Sequence, residues 1–346
     1  MTSRSPSAPA PVEAVRAVVD DYLDALGRGD ETHAVDLALG FVDAGGSAED
    51  VLLGLVAPVQ VRVGERWESG EWSVAQEHAA TCIAERVVAA LGTRARGQGT
   101  RGHVVLSCLD GEWHALPARI VGDVLRLRGW QVTFLGASVP PVHLVSFLHL
   151  HGPDVVALRA AFPIHLPAAR HTVAAAQRTG TPVLAGGPGF GADGRFARRL
   201  GVDAWAPTAE DAAALLDRMP WPATSPDATR DDGAETEYAG VRERRGRLVM
   251  AAVERLRDRT AAVRLADSPL DDDLGQMVDF LAAATWFGDR GLFADHLEWL
   301  ARVSAPRGAA ADLLPAVLDA FRAELHDFPF ALTCLDLGHD ALVGRG

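Results

Sequence analysis

At roughly 100–200 residues per domain, a chain of 346 residues has room for two or three domains. Its 48% hydrophobic and 23% charged residues are the balance of a protein that buries a sizeable core. The 33 basic residues are all arginine and face 46 acidic ones, a formal charge of −13; this argues against a general nucleic-acid or anionic-membrane binder, and the absence of lysine excludes Schiff-base cofactors, a Walker A loop and a kinase-type lysine.

The first residues, Met1 to Val12, are rich in Pro, Ser and Ala and lack an apolar core of signal length. No stretch approaches the roughly 18 uninterrupted apolar residues of a membrane span. Cys82, Cys108 and Cys334 are too scattered for a disulfide framework or a CxxC metal site. A soluble protein of the reducing cytoplasm is expected.

From Pro11 to about Leu91 the apolar residues recur with helical period. Val15, Val18, Val19, Tyr22, Leu23 and Leu26 form the first set, and others follow at Val35 to Phe41, Val51 to Val63 and Val74 to Leu91. Asp30 and Ser47 have the character of N-caps, while Gly45-Gly46 and Gly70 punctuate. The pattern predicts a four-helix-bundle cap over residues 11–97.

A Gly/Arg linker, Gly92 to Gly102, leads into short apolar runs alternating with helical segments. Strands are predicted at His103 to Cys108, Gln131 to Leu135, Val155 to Leu158, Pro182 to Ala185 and Asp203 to Ala206. This alternation predicts an α/β domain, a doubly wound parallel sheet of five strands over residues 101–220. Ligands of such sheets sit beyond the carboxyl ends of the strands, so the loops 110–117, 136–141 and 186–191 are expected along one edge.

The stretch Pro220 to Asp232 has linker composition. An all-α domain is expected over residues 232–346, with helices at Ala234 to Leu265, Asp271 to Phe287, Gly291 to Val303 and Ala309 to Leu325; Pro306, Pro329 and the glycines mark the breaks.

Two local features carry chemistry. Asp110-Gly111-Glu112-Trp113-His114 follows the first strand directly, which exposes the histidine at the sheet edge with Glu112 two residues earlier. Because a metal-bound histidine commonly gives its second N–H to a carboxylate, this pair suits a single-ligand metal site, although a polar turn has the same composition. The other feature is Trp67, followed ten residues on by Glu77-His78, where a helix end, a Gly70 turn and a new helix capped by Ser73 are read. A helix cap beside a core tryptophan would also account for it.

Taken together, Trp-x9-Glu-His in a helical bundle and Glu-x-His after the first strand of a flavodoxin-like domain resemble the cobalamin-binding module of light-sensing transcription regulators of the CarH type. The resemblance spans about residues 11–218 and includes the loop LGASVP, with Ser138, and Gly186-Gly187. It implies that His114 is the lower axial ligand of cobalt with Glu112 behind it. It also implies that Gly186 and Gly187 make room for the displaced nucleotide tail, and that Trp67, Glu77 and His78 cover the upper face around a 5′-deoxyadenosyl group. Asp110 and Gly111 belong to the same loop.

Three residues depart from the family. Pro117 stands where Glu-x-His-x-x-Gly ends in glycine, and Arg159 replaces a common serine in the third strand. Glu68 stands where some members carry a second axial histidine, which leaves His78 as the candidate for the upper position after light exposure.

DNA-binding relatives carry a helix-turn-helix module ahead of the cobalamin unit. Here about ten residues precede the first helix, and the added module follows instead. That order resembles the photocobilins, whose cobalamin module is followed by a helical, globin-like domain holding a bilin such as biliverdin. The candidate bilin contacts are His296 on the apolar face of the helix Gly291 to Val303, Trp299 and Arg302 on a neighbouring face, and Trp286 and Phe287 at the end of the preceding helix, an arrangement that a self-contained core would present equally well. Cys334 is a thioether candidate that burial would make inert, and His143, His149, His151 and His165 lack the spacing of a closed zinc site.

The expected function is a non-enzymatic photoreceptor binding adenosylcobalamin and a bilin, acting through a homo-oligomer or a protein signalling partner, with no nucleic acid and no membrane. The alternatives are a corrinoid methyl carrier and an interaction module that has lost its cofactor.

Overall fold

The computed structural model describes residues 18–94, 99–221, 232–257 and 270–344. Met1 to Val12, the helical start at Val15, parts of both linkers and the end of the expected helix Ala234 to Leu265 lie outside the described residues. No helix among the described residues is long and apolar enough to cross a membrane.

The cap begins with α1 (Val19–Arg28), whose Tyr22, Leu23, Ala25 and Leu26 face the core, and Gly29 ends it in the left-handed conformation at φ 69°. In α2 (Glu31–Asp43), Asp30 caps by accepting from the His33 N–H at 3.1 Å. A single helical rod follows in three parts: α3 (Ala48–Val51), a π-helical turn (Leu52–Val56) and α4 (Ala57–Glu68). Pro58 accounts for the π turn, since it cannot donate to the carbonyl four residues back and the wider turn absorbs the mismatch. After Gly70 (φ 74°), Ser73 and Gln76 form a reciprocal capping box at the start of α5 (Val74–Arg94). These helices bury a shared core of Tyr22, Leu52, Val59, Val87 and neighbours.

The sheet domain runs β1 (His103–Cys108), α6 (Leu116–Leu127), β2 (Gln131–Gly136), α7 (Pro141–His151), β3 (Val155–Arg159), α8 (Leu166–Arg178), β4 (Val183–Gly186), α9 (Arg195–Leu200), β5 (Ala204–Ala206) and α10 (Ala209–Leu216). All five strands are parallel in the order β2-β1-β3-β4-β5, the flavodoxin-like order, whose topological switch point lies between β1 and β3. Alternation along the strands sends Val104, Leu106, Val155 and Ala157 to one face, with Ala118 and Leu125 of α6. Val105, Val156 and Leu158 go to the other, with Leu144 of α7 and Val173 of α8. The cap packs on the outer side of α6 through Leu116, Ile120 and Val124.

The C-terminal module contains α11 (Asp232–Glu243), α12 (Arg245–Leu256), α13 (Leu270–Phe287), α14 (Arg290–Ser304), α15 (Leu313–Glu324) and α16 (Pro329–Val343). The segment read as one helix from Ala234 is broken at Arg244, which leaves helical geometry at ψ 1°. Pro329, read as a helix break, stands at one and opens α16: in the first turn its missing N–H costs nothing. The Glu237 carboxylate accepts from the next two amides, Phe330 at 3.0 Å and Ala331 at 2.9 Å. The module's core is continuous with the α8 and α9 side of the sheet, where Phe287 meets Phe196 at 4.1 Å.

Inside this module His296 lies between Phe280, stacked at 3.7 Å and 5°, and Trp299, at 5.7 Å and 22°. Its Nε2 has no hydrogen-bond partner among the described residues. Burial pushes its pKa from 6.5 down to about 3. Between those values the unfolded chain binds a proton that the folded one refuses, so stability falls as pH drops through that window. Replacing His296→Phe is expected to flatten this pH dependence, as measured by denaturant unfolding on either side of the window.

Candidate functional site

At the carboxyl edge of the sheet, Cys108, Arg159, Gly186 and Ala206 lie in one row of the strand register. The loop Asp110–His114 leaves β1 at the switch point. Gly111 turns it at φ 82°, and its N–H donates to Ser138 Oγ at 3.0 Å. Ser138 donates in turn to Asp110 Oδ1 at 3.3 Å, and its N–H to the Glu112 carbonyl at 2.9 Å. Ser138 holds φ 46°, the one non-glycine residue at positive φ among the described residues, so the two loops are tied together at the cost of backbone strain.

Glu112 is fully buried. Its Oε1 accepts from the His114 backbone N–H at 2.8 Å and from His114 Nδ1 at 2.6 Å, while Oε2 accepts from the Ala161 N–H. Arg159 Nη1 lies 3.6 Å from Oε2 and donates to the His114 carbonyl at 2.8 Å. Burial alone would raise the Glu112 pKa, but the bonds from His114 and Ala161 and the Arg159 charge outweigh it and hold the carboxyl down at about 2. Burial in turn lowers the pKa of Arg159.

A carboxylate at Nδ1 fixes the His114 tautomer with the proton on that nitrogen and the lone pair on Nε2. The ring is 59% exposed, so Nε2 is free to bind a metal from the solvent side. Phe162, just beyond β3, supports the ring edge-on at 5.4 Å.

Beside this latch a groove of about 200 Å³ opens between β1, β3, β4 and the starts of α6 and α10, lined by Leu106, Val121, Arg159, Gly186, Gly187 and Ala206 among others. Gly187 stands at φ 99°, where an added Cβ would come within 2.4 Å of the Ala160 carbonyl oxygen, so the groove floor requires glycine. Pro117 occupies the first turn of α6 and also lines the groove, so it sets the helix start there.

The cap residues divide. His78 is 72% exposed at the start of α5, with Nδ1 on the Val74 carbonyl at 2.9 Å and Glu77 Oε2 at 2.8 Å. Glu77 also accepts from Thr81 at 3.1 Å. Trp67, in the last turn of α4, meets Trp299 of α14 at 6.1 Å, and Arg307 lies 5.0 Å over its ring.

The bilin candidates fall into two groups. Gly288 closes a tight α13–α14 hairpin at φ 60°, which places Trp286 and Phe287 at its tip, where Arg199 donates to both carbonyls. His296 and Trp299 lie further along α14 and face Phe280 and Trp67. Arg302 is exposed; Arg307, not singled out in the sequence, is the arginine at the aromatic cluster. Cys334 is fully buried and its thiol is pushed up to about 12, mainly by burial, which makes it a poor nucleophile.

Sequence reasoning also missed Trp113, Phe162 and Phe280. Trp113 is 73% exposed inside the motif itself, and a large exposed aromatic at a strand end was the available signal.

Two regions of the chain, residues 18–91 and 102–217, match family profiles that are each described as a B12 binding domain. Over 107 residues the chain is 40% identical to the HTH-type transcriptional repressor CarH of Myxococcus xanthus, a span that is 30% of this chain and 34% of that protein. Over 218 residues it is 26% identical to a corrinoid protein of Desulfitobacterium hafniense (strain Y51), which is 59% of this chain and 98% of that protein. The solved monomethylamine corrinoid protein of Methanosarcina barkeri shares the fold, with a TM-score of 0.53 at 19% identity over 59% of this chain and 99% of that one. The cap and sheet are a cobalamin-binding module with a helical region following it.

Removing the buried carboxylate is the sharpest test of the latch. Glu112→Ala takes the acceptor from the His114 and Ala161 N–H groups and the counter-charge from Arg159, and a loss of about 3 kcal/mol in denaturant unfolding is expected. Glu112→Gln, which keeps an acceptor oxygen, should lose less.

Proposed function

We propose that the protein is a light-responsive receptor that holds adenosylcobalamin between the helical cap and the sheet, with His114 as lower axial ligand. The observation that carries this reading is the Glu112–His114 latch at the topological switch point, set beside an apolar groove of the size a nucleotide base needs. The donor set suits the cofactor: a neutral imidazole presents Nε2, and a carboxylate behind it raises its basicity.

In this reading His114 binds cobalt, and the nucleotide tail lies in the groove over Gly186 and Gly187. Arg159 is the single charged group lining that groove, and it anchors the His114 carbonyl. Asp110, Gly111 and Ser138 hold the loop in shape. Trp67, Glu77 and His78 would cover the upper face and exclude water from it, and His78 would be the side chain available as a second ligand on that side. Adenosylcobalamin, when bound, supplies a cobalt–carbon bond that visible light breaks. Trp67 would contact the upper ligand, so the position of the cap would depend on whether that ligand is present. The output is a changed oligomer or contact with a protein partner.

The light response rests on the resemblance of the Trp67, Glu77-His78 and Glu112-x-His114 motifs to those of light-sensing regulators, and the adenosyl form on the bulk of Trp67. A bilin such as biliverdin, held by the C-terminal helices near His296 and Trp299, extends the reading on the strength of domain order; Trp286 and Phe287 would contact it only at the hairpin tip. A second reading, a corrinoid methyl carrier, is favoured by the match that spans 98% of a corrinoid protein.

Reconstitution with adenosylcobalamin and biliverdin, followed by absorption spectra in the dark and after green and red light, separates the readings. A lasting change after green light, absent in His114→Ala, is expected. Selective methylcobalamin turnover without a lasting light change would favour the carrier, and the absence of a red band would end the bilin claim.

A further inference from the structure

Trp67 is fixed by residues far along the chain. Arg307 lies over its ring at 5.0 Å and donates to the Trp67 carbonyl at 2.7 Å and the Glu68 carbonyl at 3.3 Å. These carbonyls lie at the C-terminal end of α4, the negative end of its dipole, where a guanidinium is a fitting partner; the Trp67 carbonyl also accepts from the Gly70 N–H at 3.0 Å. Trp299 adds a second hold: its ring meets Trp67 at 6.1 Å and 35°, and its indole N–H donates to Glu68 Oε1 at 2.7 Å.

Trp299 is itself anchored. It stacks on His296, which stacks on Phe280, and the Phe280 ring meets Phe162 at 6.1 Å in an edge-on contact. Phe162 is the side chain that supports His114. A line of rings therefore runs from the candidate axial ligand, through the C-terminal module, to the candidate cover of the upper face. Glu68 holds one end of it.

We infer that Trp299 and Arg307 are positioning residues of the cobalamin site: the C-terminal module, acting through Glu68, sets where the Trp67 ring stands and so how much room the upper ligand has. The inference rests on the reading of Trp67 as the upper-face cover. Without the clamp, Trp67 at a helix end followed by Gly70 regains rotamer freedom and its ring no longer stands in one place. A bulky adenosyl ligand feels that loss; a hydroxo ligand, too small to reach the ring, does not.

The test uses the full chain, without bilin, titrated with adenosylcobalamin and with hydroxocobalamin. Trp299→Phe keeps a ring and removes the donor; Glu68→Ala removes the acceptor; Glu68→Gln keeps an acceptor oxygen. The first two are expected to weaken adenosylcobalamin binding about three- to tenfold, with hydroxocobalamin affinity unchanged. The Trp299→Phe/Glu68→Ala pair should lose no more than either alone, and Glu68→Gln should restore most of the preference. Unchanged adenosylcobalamin binding, or equal loss for both cobalamins, would overturn the inference while leaving the cobalamin reading intact. A wild-type chain that binds neither overturns both.

Discussion

The site depends on one buried charge. Glu112 has no exposure, yet it is held ionised because each oxygen is engaged: His114 gives two N–H groups to one, and the Ala161 amide, with Arg159 nearby, faces the other. An isolated carboxylate in that position would take up a proton or resist burial. Because it remains an anion, it dictates the tautomer of His114, ties the β1 loop to the loop after β3, and gives Arg159 a counter-charge. The groove and the axial nitrogen therefore share one electrostatic centre.

That centre lies where the fold leaves space. In the order β2-β1-β3-β4-β5 the connections from β1 and β3 depart to opposite sides, and the gap between their ends receives Glu112, His114 and Phe162. The cap packs on α6, whose first turn begins two residues after His114, and the C-terminal module packs on α8 and α9 and reaches the end of α4 through Arg307. The cap and the C-terminal module thus flank the sheet domain on its two sides.

Much of this was legible in the sequence because it is local. Alternation in His103 to Cys108 and Val155 to Leu158, the caps at Asp30, Ser47 and Ser73, and Glu112 two residues before His114 all encode geometry within a few positions. What escaped is non-local. Nothing in the spacing of Arg307 or Trp299 announces a contact with Trp67 more than two hundred residues earlier. Pro329 does stand at a break, but α16 beyond it was not anticipated, because a proline marks the start of a helix as readily as a stop, and Glu237, which satisfies the first amides of α16, lies in another helix. Trp286, at the end of one helix, and Trp299, on the next, were read as contacts of one pigment, whereas the tight hairpin at Gly288 separates them along the α13–α14 pair. Domain limits drawn at residues 97, 101, 220 and 232 remain an expectation from composition.

The central claim is that His114, backed by Glu112, supplies the lower ligand of cobalt. Electron paramagnetic resonance of the protein loaded with cob(II)alamin reads that ligand directly through the hyperfine coupling of its nitrogen. Uniform ¹⁵N-histidine labelling of the protein is predicted to convert the nitrogen splitting from a triplet to a doublet. A triplet that survives the labelling would mean that the cofactor's own base still holds the cobalt, and would contradict the account.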